Sequence, residues 1–269
     1  MEDVIVQDGL ENVLREIDAQ SSNRVDVGLE RALGLKGQAA DRVTNVLTIE
    51  WGKRVVAFID LLGTKALMSR TAEDPESTYN IFSQISSKFT GLAKMMEREV
   101  GKVLHTVISD SYVISVPVEG DAIVRLFKVI AEFQRYCLIE HGELSRGGVA
   151  VGDMIEGRKE IIGKAFVDAH LLEVRSATYP RVVVQKSLMN DSKFKAVYKQ
   201  LPLAVDKDGL AYVSYIDADK SSDCCRISAI VDGAIPKFNQ DTELDKIQKW
   251  AWVKTYLLQT EKCKVNCCY

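Results

Sequence analysis

Two aspartates that follow apolar segments are the residues of this chain best suited to chemistry. Asp60 ends the apolar run Val55–Ile59, and Asp110 stands at a turn between two β-like segments. A carboxylate at the end of a buried strand costs free energy unless it binds something. Gly63 permits a sharp backbone turn just after Asp60, and the N–H groups of such a turn can face phosphate oxygens.

The chemistry of this pair depends on the two aspartates lying close together. If their strands are neighbours in one sheet, both carboxylates meet at one end of it and suit Mg²⁺ or Mn²⁺, which prefer oxygen ligands and substrate phosphates. Two such ions can activate a hydroxyl nucleophile and neutralise a departing pyrophosphate. Taken singly, each aspartate is also explained by an ordinary structural role, as a helix cap or a turn residue. Only their combination in one strand order favours metal chemistry.

The segments around the aspartates follow the order β-α-β-β-α-β. The apolar run at 55–59 predicts a buried strand, and Pro75 predicts the first turn of a long helix. Residues 103–116 predict a hairpin, Asp121 the start of a second helix, and 145–153 a glycine-punctuated strand. This order predicts a ferredoxin-like α+β core, an antiparallel sheet with helices on one face.

Helical segments flank this core on both sides. We expect residues 1–50 to form an N-terminal helical extension, 51–216 the catalytic domain, and 217–269 a C-terminal strand and helix extension. In the last of these, Trp250 and Val253 share one face of a predicted helix.

Composition excludes several classes of protein. The 269 residues carry 35 Lys and Arg against 38 Asp and Glu, a formal net charge of −3, whereas general nucleic-acid binders usually have a basic excess. No apolar run approaches the roughly 20 residues of a membrane helix, and the acidic N-terminus is not a signal peptide. We therefore expect a cytoplasmic protein that neither binds nucleic acid nor inserts into a membrane, with its six cysteines reduced.

Several motifs resemble those of class III nucleotidyl cyclases, in the same order and spacing. Val56–Gly63 is similar to their first metal motif, and Ile108–Ser111 to the second, which is usually Gly-Asp. Arg146–Gly152 resembles their Arg-x-Gly strand, and Gly163–Glu173 the helix that follows. The resemblance covers about residues 54–184.

Within that class, the sequence Phe-Ile-Asp-Leu-Leu-Gly-Thr-Lys and the helical segments that flank the core look most like those of the PycC-type pyrimidine cyclases of bacterial antiphage (Pycsar) defence. The resemblance implies a phosphorus–oxygen lyase that converts UTP or CTP to the 3′,5′-cyclic monophosphate, cUMP or cCMP, and pyrophosphate. It also implies two Mn²⁺ or Mg²⁺ ions, a homodimer with composite active sites, and a downstream cyclic-nucleotide-binding effector that answers the second messenger in antiviral defence.

The same resemblance assigns roles to individual residues. Asp60 and Asp110 would bind both metal ions, and the Leu61 carbonyl would add a ligand. The β- and γ-phosphates would lie against the backbone of Leu62, Gly63 and Thr64, with the Lys65 ammonium assisting. A solvated lysine at the start of a helix is an equal alternative for Lys65.

Two departures from the family concern the base pocket. Thr106 stands where adenylate cyclases usually carry a Lys that reads the purine, and Glu160 where they carry an Asp. The Thr106 hydroxyl has a donor and an acceptor for a pyrimidine edge, although plain strand propensity also explains it. On alternating strand positions, Thr106 and His105 face opposite ways, so at most one of them faces a ligand.

A third departure concerns the helix after the Arg-x-Gly strand. Val167 and Leu171 stand where the family presents an Asn and an Arg to the transition state. We expect Arg146 to replace the missing cation, with Arg175 and Arg181 as the alternatives. Two other interpretations stay open: a catalytically degenerate cyclase-homology module that acts through dimerisation or regulation, and a purine cyclase making cAMP or cGMP.

Overall fold

The computed structural model describes residues 50–64, 74–156, 161–216 and 221–260. The chain divides into two compact units, residues 1–50 and 51–269. The helices expected in the first unit lie outside the described residues. The domain boundaries expected at residues 50/51 and 216/217 stay predictions.

The core has the predicted β-α-β-β-α-β order. Its elements are β1 (Glu50–Leu62), α1 (Pro75–Val100), β2 (Leu104–Ile108), β3 (Ser111–Pro117), α2 (Gly120–His141) and β4 (Leu144–Glu156). Pro75 occupies the first turn of α1, where its missing N–H has no helical partner to lose. The Asp74 carboxylate caps this helix by accepting a hydrogen bond from the Ser77 N–H at 3.0 Å.

Further elements extend the core. They are β5 (Ile161–Gly163), α3 (Lys164–Ser176), β6 (Val182–Val184), α4 (Lys186–Asn190), α5 (Ser192–Val197), β7 (Leu203–Val205), β8 (Ala211–Val213), α6 (Ser221–Ala234) and α7 (Leu244–Gln259). Within the described ranges, the strands form one sheet in the order β2-β3-β1-β4-β6-β8-β7, with β5 paired to β4. The fold is α+β, as predicted, and β2-β3-β1-β4 is the ferredoxin-like strand order.

Beyond the predicted core, the sheet gains a parallel strand pair and a helix on its second face. The β4–β6 pair is parallel, whereas the β1–β3, β2–β3, β4–β5, β6–β8 and β7–β8 pairs are antiparallel. Parallel neighbours need a crossover connection, and here α3 lies in that connection. The expectation of helices on one face holds for α1 and α2 of the core, whereas α3, which follows the core, packs on the opposite face.

Strand alternation in β1 shows this two-sided packing directly. Val55, Ala57 and Ile59 are buried in the large core that includes α1 and α2. Val56 and Phe58 point the other way, into a smaller cluster with Ala165 and Ala169 of α3.

The contact between α3 and the sheet requires a glycine on β4. A Cβ added at Gly148 would lie 2.3 Å from the Ala169 carbonyl oxygen and 2.5 Å from Leu172 Cβ. Since the first of these atoms is backbone, the helix would have to move to accept any larger residue.

Two further findings bear on the composition. Cys137 is a buried free thiol, but Cys224 is disulfide-bonded, so the expectation of reduced cysteines is wrong at that position. In the part of the chain that the structure describes, no helix has the length and apolar character needed to cross a membrane.

The Gly148 contact predicts the effect of a single methyl group. Gly148→Ala should lower the free energy of unfolding by about 1–3 kcal/mol, because it overpacks the interface between β4 and α3. Urea denaturation followed by circular dichroism measures this loss. The control is Gly91→Ala on the exposed face of α1, where a Cβ meets nothing within 4 Å. That variant should be unchanged or up to about 1 kcal/mol more stable, and an equal loss in both variants would contradict the packing argument.

Candidate active site

The structure brings Asp60 and Asp110 together at one end of the sheet. In the antiparallel register of β1 and β3, Asp60 lies opposite Ser111, the residue after Asp110. The Leu61 N–H donates a hydrogen bond of 3.2 Å to the Asp110 carbonyl oxygen. The end of β1 is thus bonded to the tip of the β2–β3 hairpin, as the sequence predicted.

A hydroxyl group orients each of the two carboxylates. Ser111 Oγ donates to Asp60 Oδ1 at 2.9 Å, and Thr64 Oγ1 donates to Asp110 Oδ2 at 2.6 Å. Sequence reasoning used only the backbone of Thr64 and did not single out Ser111. Both side chains hold the carboxylates in place while leaving oxygen lone pairs for a further ligand.

Burial raises the pKa of Asp60 above its usual range. The Ser111 hydrogen bond opposes this shift, repulsion from Asp110 adds to it, and attraction from Arg146 and His170 partly offsets it. A carboxylate in this position is stabilised by any cation that binds beside it.

The donor set at this end of the sheet fits a divalent cation that shares its coordination with a ligand. Within the described ranges, no three His, Cys, Asp or Glu side chains cluster as a metal site. Two carboxylates that repel each other are nevertheless the protein ligands that Mg²⁺ commonly uses when substrate phosphates complete its shell. The structure therefore fits a shared Mg²⁺ or Mn²⁺ better than a site made of protein ligands alone.

Two turns with positive φ frame the carboxylates. Gly63 is exposed with φ of 87°, a conformation that favours glycine, and it follows the half-buried Leu62. Ser109, at the hairpin tip, has φ of 55° although it is not glycine. A residue with a Cβ is strained at this φ, and the resembled family has Gly at this place. Lys65 lies outside the described residues.

The proposed base-reading residue Thr106 shares a face of the sheet with Asp60. Thr106 lies opposite Val113, which lies opposite Phe58, two residues before Asp60. His105 points to the other face, where its ring lies 6.3 Å from that of Phe89. Of the two, only Thr106 is therefore on the side of the aspartates. Glu160 lies outside the described residues.

Among the three candidate arginines, Arg146 is the one within electrostatic reach of Asp60. Its Nη2 lies 2.6 Å from Glu173 Oε1 of α3. The expectation that Arg146 faces the site is therefore compatible with its position on β4.

The other two candidate arginines have different surroundings. Arg175 is exposed on α3. Arg181 is buried in ion pairs with Asp206 and Asp208, and these two carboxylates occupy its guanidinium. We therefore set Arg181 aside as a site residue. On α3, Val167 is half exposed at the place where the family has Asn.

Sequence reasoning did not assign a role to Glu173 or to the contacts of His170. Glu173 is 3% exposed, and burial raises its pKa, while Arg146 opposes that shift. His170 Nδ1 lies 3.5 Å from Glu173 Oε2, and its ring centroid lies 4.8 Å from that of Phe58. The i, i+3 spacing of His170 and Glu173 on a helix was the available signal.

Comparison with solved structures finds catalytic domains of nucleotide cyclases. The adenylyl cyclase CyaB from P. aeruginosa is 14% identical with a TM-score of 0.47, over 61% of this chain and 94% of that one. The catalytic core of a rhodopsin-guanylyl cyclase with converted specificity, in complex with ATPalphaS, is 16% identical with a TM-score of 0.44, over 61% and 97%. An adenylate/guanylate cyclase/hydrolase from Silicibacter pomeroyi is 14% identical with a TM-score of 0.42, over 61% and 96%.

No protein-family model matches the chain, and no curated protein matches it. The identities and TM-scores of the structural matches are too low to establish kinship. The fold assignment therefore rests on this chain's own strand order.

The strained hairpin tip predicts a stabilising substitution. Ser109→Gly should raise the free energy of unfolding by about 1 kcal/mol, because glycine adopts a φ of 55° without a Cβ penalty. The reverse change, Gly209→Ser at a turn with φ of 79°, should cost about as much. Chemical denaturation of both variants checks the prediction, and a loss of stability in Ser109→Gly would contradict it.

The raised pKa of Asp60 predicts a pH-dependent stability in the metal-free protein. A folded pKa above the ordinary 3.8 means that the folded state holds the proton more tightly, so stability falls as pH rises from about 4 through that pKa. Asp60→Asn keeps an oxygen to accept the Ser111 hydrogen bond but removes the charge. In EDTA, the variant should be more stable than wild type at pH 7, and this difference should shrink towards pH 4. A variant less stable than wild type at pH 7 would refute the prediction.

Proposed function

We propose that this protein is a divalent-metal-dependent nucleotide cyclase, which converts a nucleoside triphosphate to its 3′,5′-cyclic monophosphate and pyrophosphate. The observation that carries the proposal is the pairing of Asp60 and Asp110 at the end of two adjacent strands of a β-α-β-β-α-β core. The cyclase-like motifs around the two residues support it, since they occur in the order and spacing of that family.

Each part of the proposed site has a task in this reaction. Asp60, Asp110 and the Leu61 carbonyl would hold two Mg²⁺ or Mn²⁺ ions. When bound, these ions supply acidity to the ribose 3′-hydroxyl and charge neutralisation to pyrophosphate. The Thr64 and Ser111 hydroxyls keep the two carboxylates in place.

Positioning of the triphosphate depends on the turn after β1. The backbone of Leu62, Gly63 and Thr64 would face the β- and γ-phosphates, with Lys65 beside them, because a turn at positive φ presents successive N–H groups. Cyclisation requires the 3′-oxygen, the α-phosphorus and the leaving pyrophosphate to lie in line, so the turn must hold the triphosphate in a fixed orientation.

The substrate that we favour is a pyrimidine nucleotide, UTP or CTP. Thr106 lies on the same sheet face as Asp60, in the cross-strand row of Phe58, two residues before Asp60. Its side chain is shorter than that of the Lys that reads purines in adenylate cyclases. Glu160 would complete the base pocket. The product, cUMP or cCMP, would then be a second messenger for antiviral defence, answered by a cyclic-nucleotide-binding effector in the bacterial cytoplasm.

A homodimer is part of the same proposal. Val167 and Val174 lie seven residues apart on α3 and are 50% and 56% exposed. These two side chains lie on one face of the helix, where a second copy of the chain would cover them. In this arrangement each subunit would contribute residues to composite active sites.

Two other functions remain as competing outcomes. A purine cyclase uses the same paired carboxylates and differs only in the base pocket. A catalytically degenerate dimerisation or regulatory module is favoured by Val167 and Leu171, which replace two polar groups that the family presents to the transition state.

A four-substrate assay distinguishes these functions. The purified chain is incubated with ATP, GTP, CTP and UTP in separate Mn²⁺ reactions, and cyclic products are identified by mass spectrometry. We expect cUMP or cCMP, and a loss of at least about 100-fold in Asp60→Asn and Asp110→Asn, because each variant loses a metal ligand.

The controls of this assay decide between the alternatives. Formation of cAMP or cGMP alone would replace the pyrimidine proposal by a purine cyclase. No cyclic product from any of the four substrates, together with no binding of Mn²⁺–NTP by calorimetry, would favour the degenerate module. Gly91→Ala, on the exposed face of α1, should keep wild-type activity.

A further inference from the structure

Glu173 is a buried carboxylate to which the proposed function assigns no task. It is one of the most buried acidic side chains that the structure describes, at 3% exposure, and it projects from α3 toward β4 rather than into solvent. Burying a carboxylate is unfavourable unless a partner compensates for it. Here the partner is Arg146, at 2.6 Å from Nη2 to Oε1.

This ion pair is open on its arginine side. The Arg146 side chain remains 27% exposed, and a guanidinium has five N–H donors, of which one carboxylate occupies only a part. The pair of Arg181 with Asp206 and Asp208 is closed by comparison, since the Arg181 side chain is 1% exposed and two carboxylates surround it. The first arrangement leaves exposed donors for a further anion, whereas the second pairs both terminal nitrogens of a buried guanidinium with carboxylates.

The open side of Arg146 lies on the face of the site. β4 is the neighbour of β1 in the sheet, and Arg146 lies two residues before Gly148, which contacts α3 on the Asp60 face. On α3 itself, Leu171 stands where the resembled helix carries its cation. Glu173, two residues later on that helix, holds a cation that belongs to the neighbouring strand.

We propose that Glu173 is a positioning residue that holds the Arg146 guanidinium beside Asp60, so that β4 rather than α3 supplies the cation facing the triphosphate. The proposal rests on the proposed cyclase function. The buried carboxylate limits the rotamers of Arg146, and its negative charge keeps the guanidinium at the sheet surface before substrate binds. Charge that develops on the phosphate oxygens in the transition state then meets a donor that needs no reorganisation.

If Glu173 positions Arg146, its substitution should change kcat much more than KM. Glu173→Gln retains the volume and one oxygen acceptor but loses the charge that holds Arg146. We expect kcat to fall by at least about 10-fold with KM changed by less than about 3-fold, because the misplaced cation matters most in the transition state. The matched control is Asp208→Asn, which removes a carboxylate from the closed Arg181 cluster and should leave kcat within about 2-fold of wild type.

A double-mutant cycle tests whether Glu173 acts through Arg146. Arg146→Ala should lower kcat by about 100-fold, and adding Glu173→Gln to it should lower kcat no further. Glu173→Asp, which keeps the charge on a shorter side chain, should recover part of the rate and serves as the test if Glu173→Gln folds poorly. Thermal melts of all variants identify those that fold.

The outcomes separate this proposal from the proposed function. A wild-type enzyme that makes cyclic nucleotide while folded Glu173→Gln and Glu173→Asp keep its kcat would overturn the positioning role alone. The same holds if the losses from Arg146→Ala and Glu173→Gln multiply independently. A wild-type chain that makes no cyclic product from any of the four triphosphates would overturn the proposed function and this proposal with it.

Discussion

The register between β1 and β3 is the constraint on which the candidate site depends. It places Asp60 opposite Ser111 and bonds the Leu61 N–H to the Asp110 carbonyl. A slip of one residue would exchange the two faces of β1, moving Asp60 into the apolar core and Ile59 out of it. The burial of Ile59 and Leu61 against the layer of α1 and α2 therefore holds the carboxylate in its place.

The unequal covering of the two sheet faces leaves room for polar chemistry. One face is packed by α1 and α2, while the other carries the small cluster around Phe58 and α3. Gly148 lets α3 approach the sheet closely, and that approach brings Glu173 within reach of Arg146. The polar end of the sheet and the tight helix contact are thus two results of the same packing.

The electrostatics of this end explain why an overall charge of −3 is compatible with a polyphosphate ligand. Burial and the neighbouring Asp110 disfavour the charge on Asp60, and Arg146 and His170 compensate for only part of that cost. A bound divalent cation offsets the remainder and at the same time attracts phosphate. The local arrangement of charges, and not their sum, decides what such a site binds.

The sequence by itself determined the order of the elements and the turns at the site. The apolar run before Asp60, Pro75 and the alternation around Asp110 are local patterns, and local patterns depend on the chain's own periodicity. For the same reason the opposite orientations of His105 and Thr106 were predictable.

Only the tertiary structure decided which side chains meet across the sheet. The hydrogen bond from Thr64 to Asp110, the ion pair of Arg146 with Glu173 and the closed cluster of Arg181 each join residues far apart in the chain. The position of α3 on the second face was not predicted, because it depends on the crossover that joins the parallel strands β4 and β6. Such contacts arise from packing between elements, which no local pattern encodes.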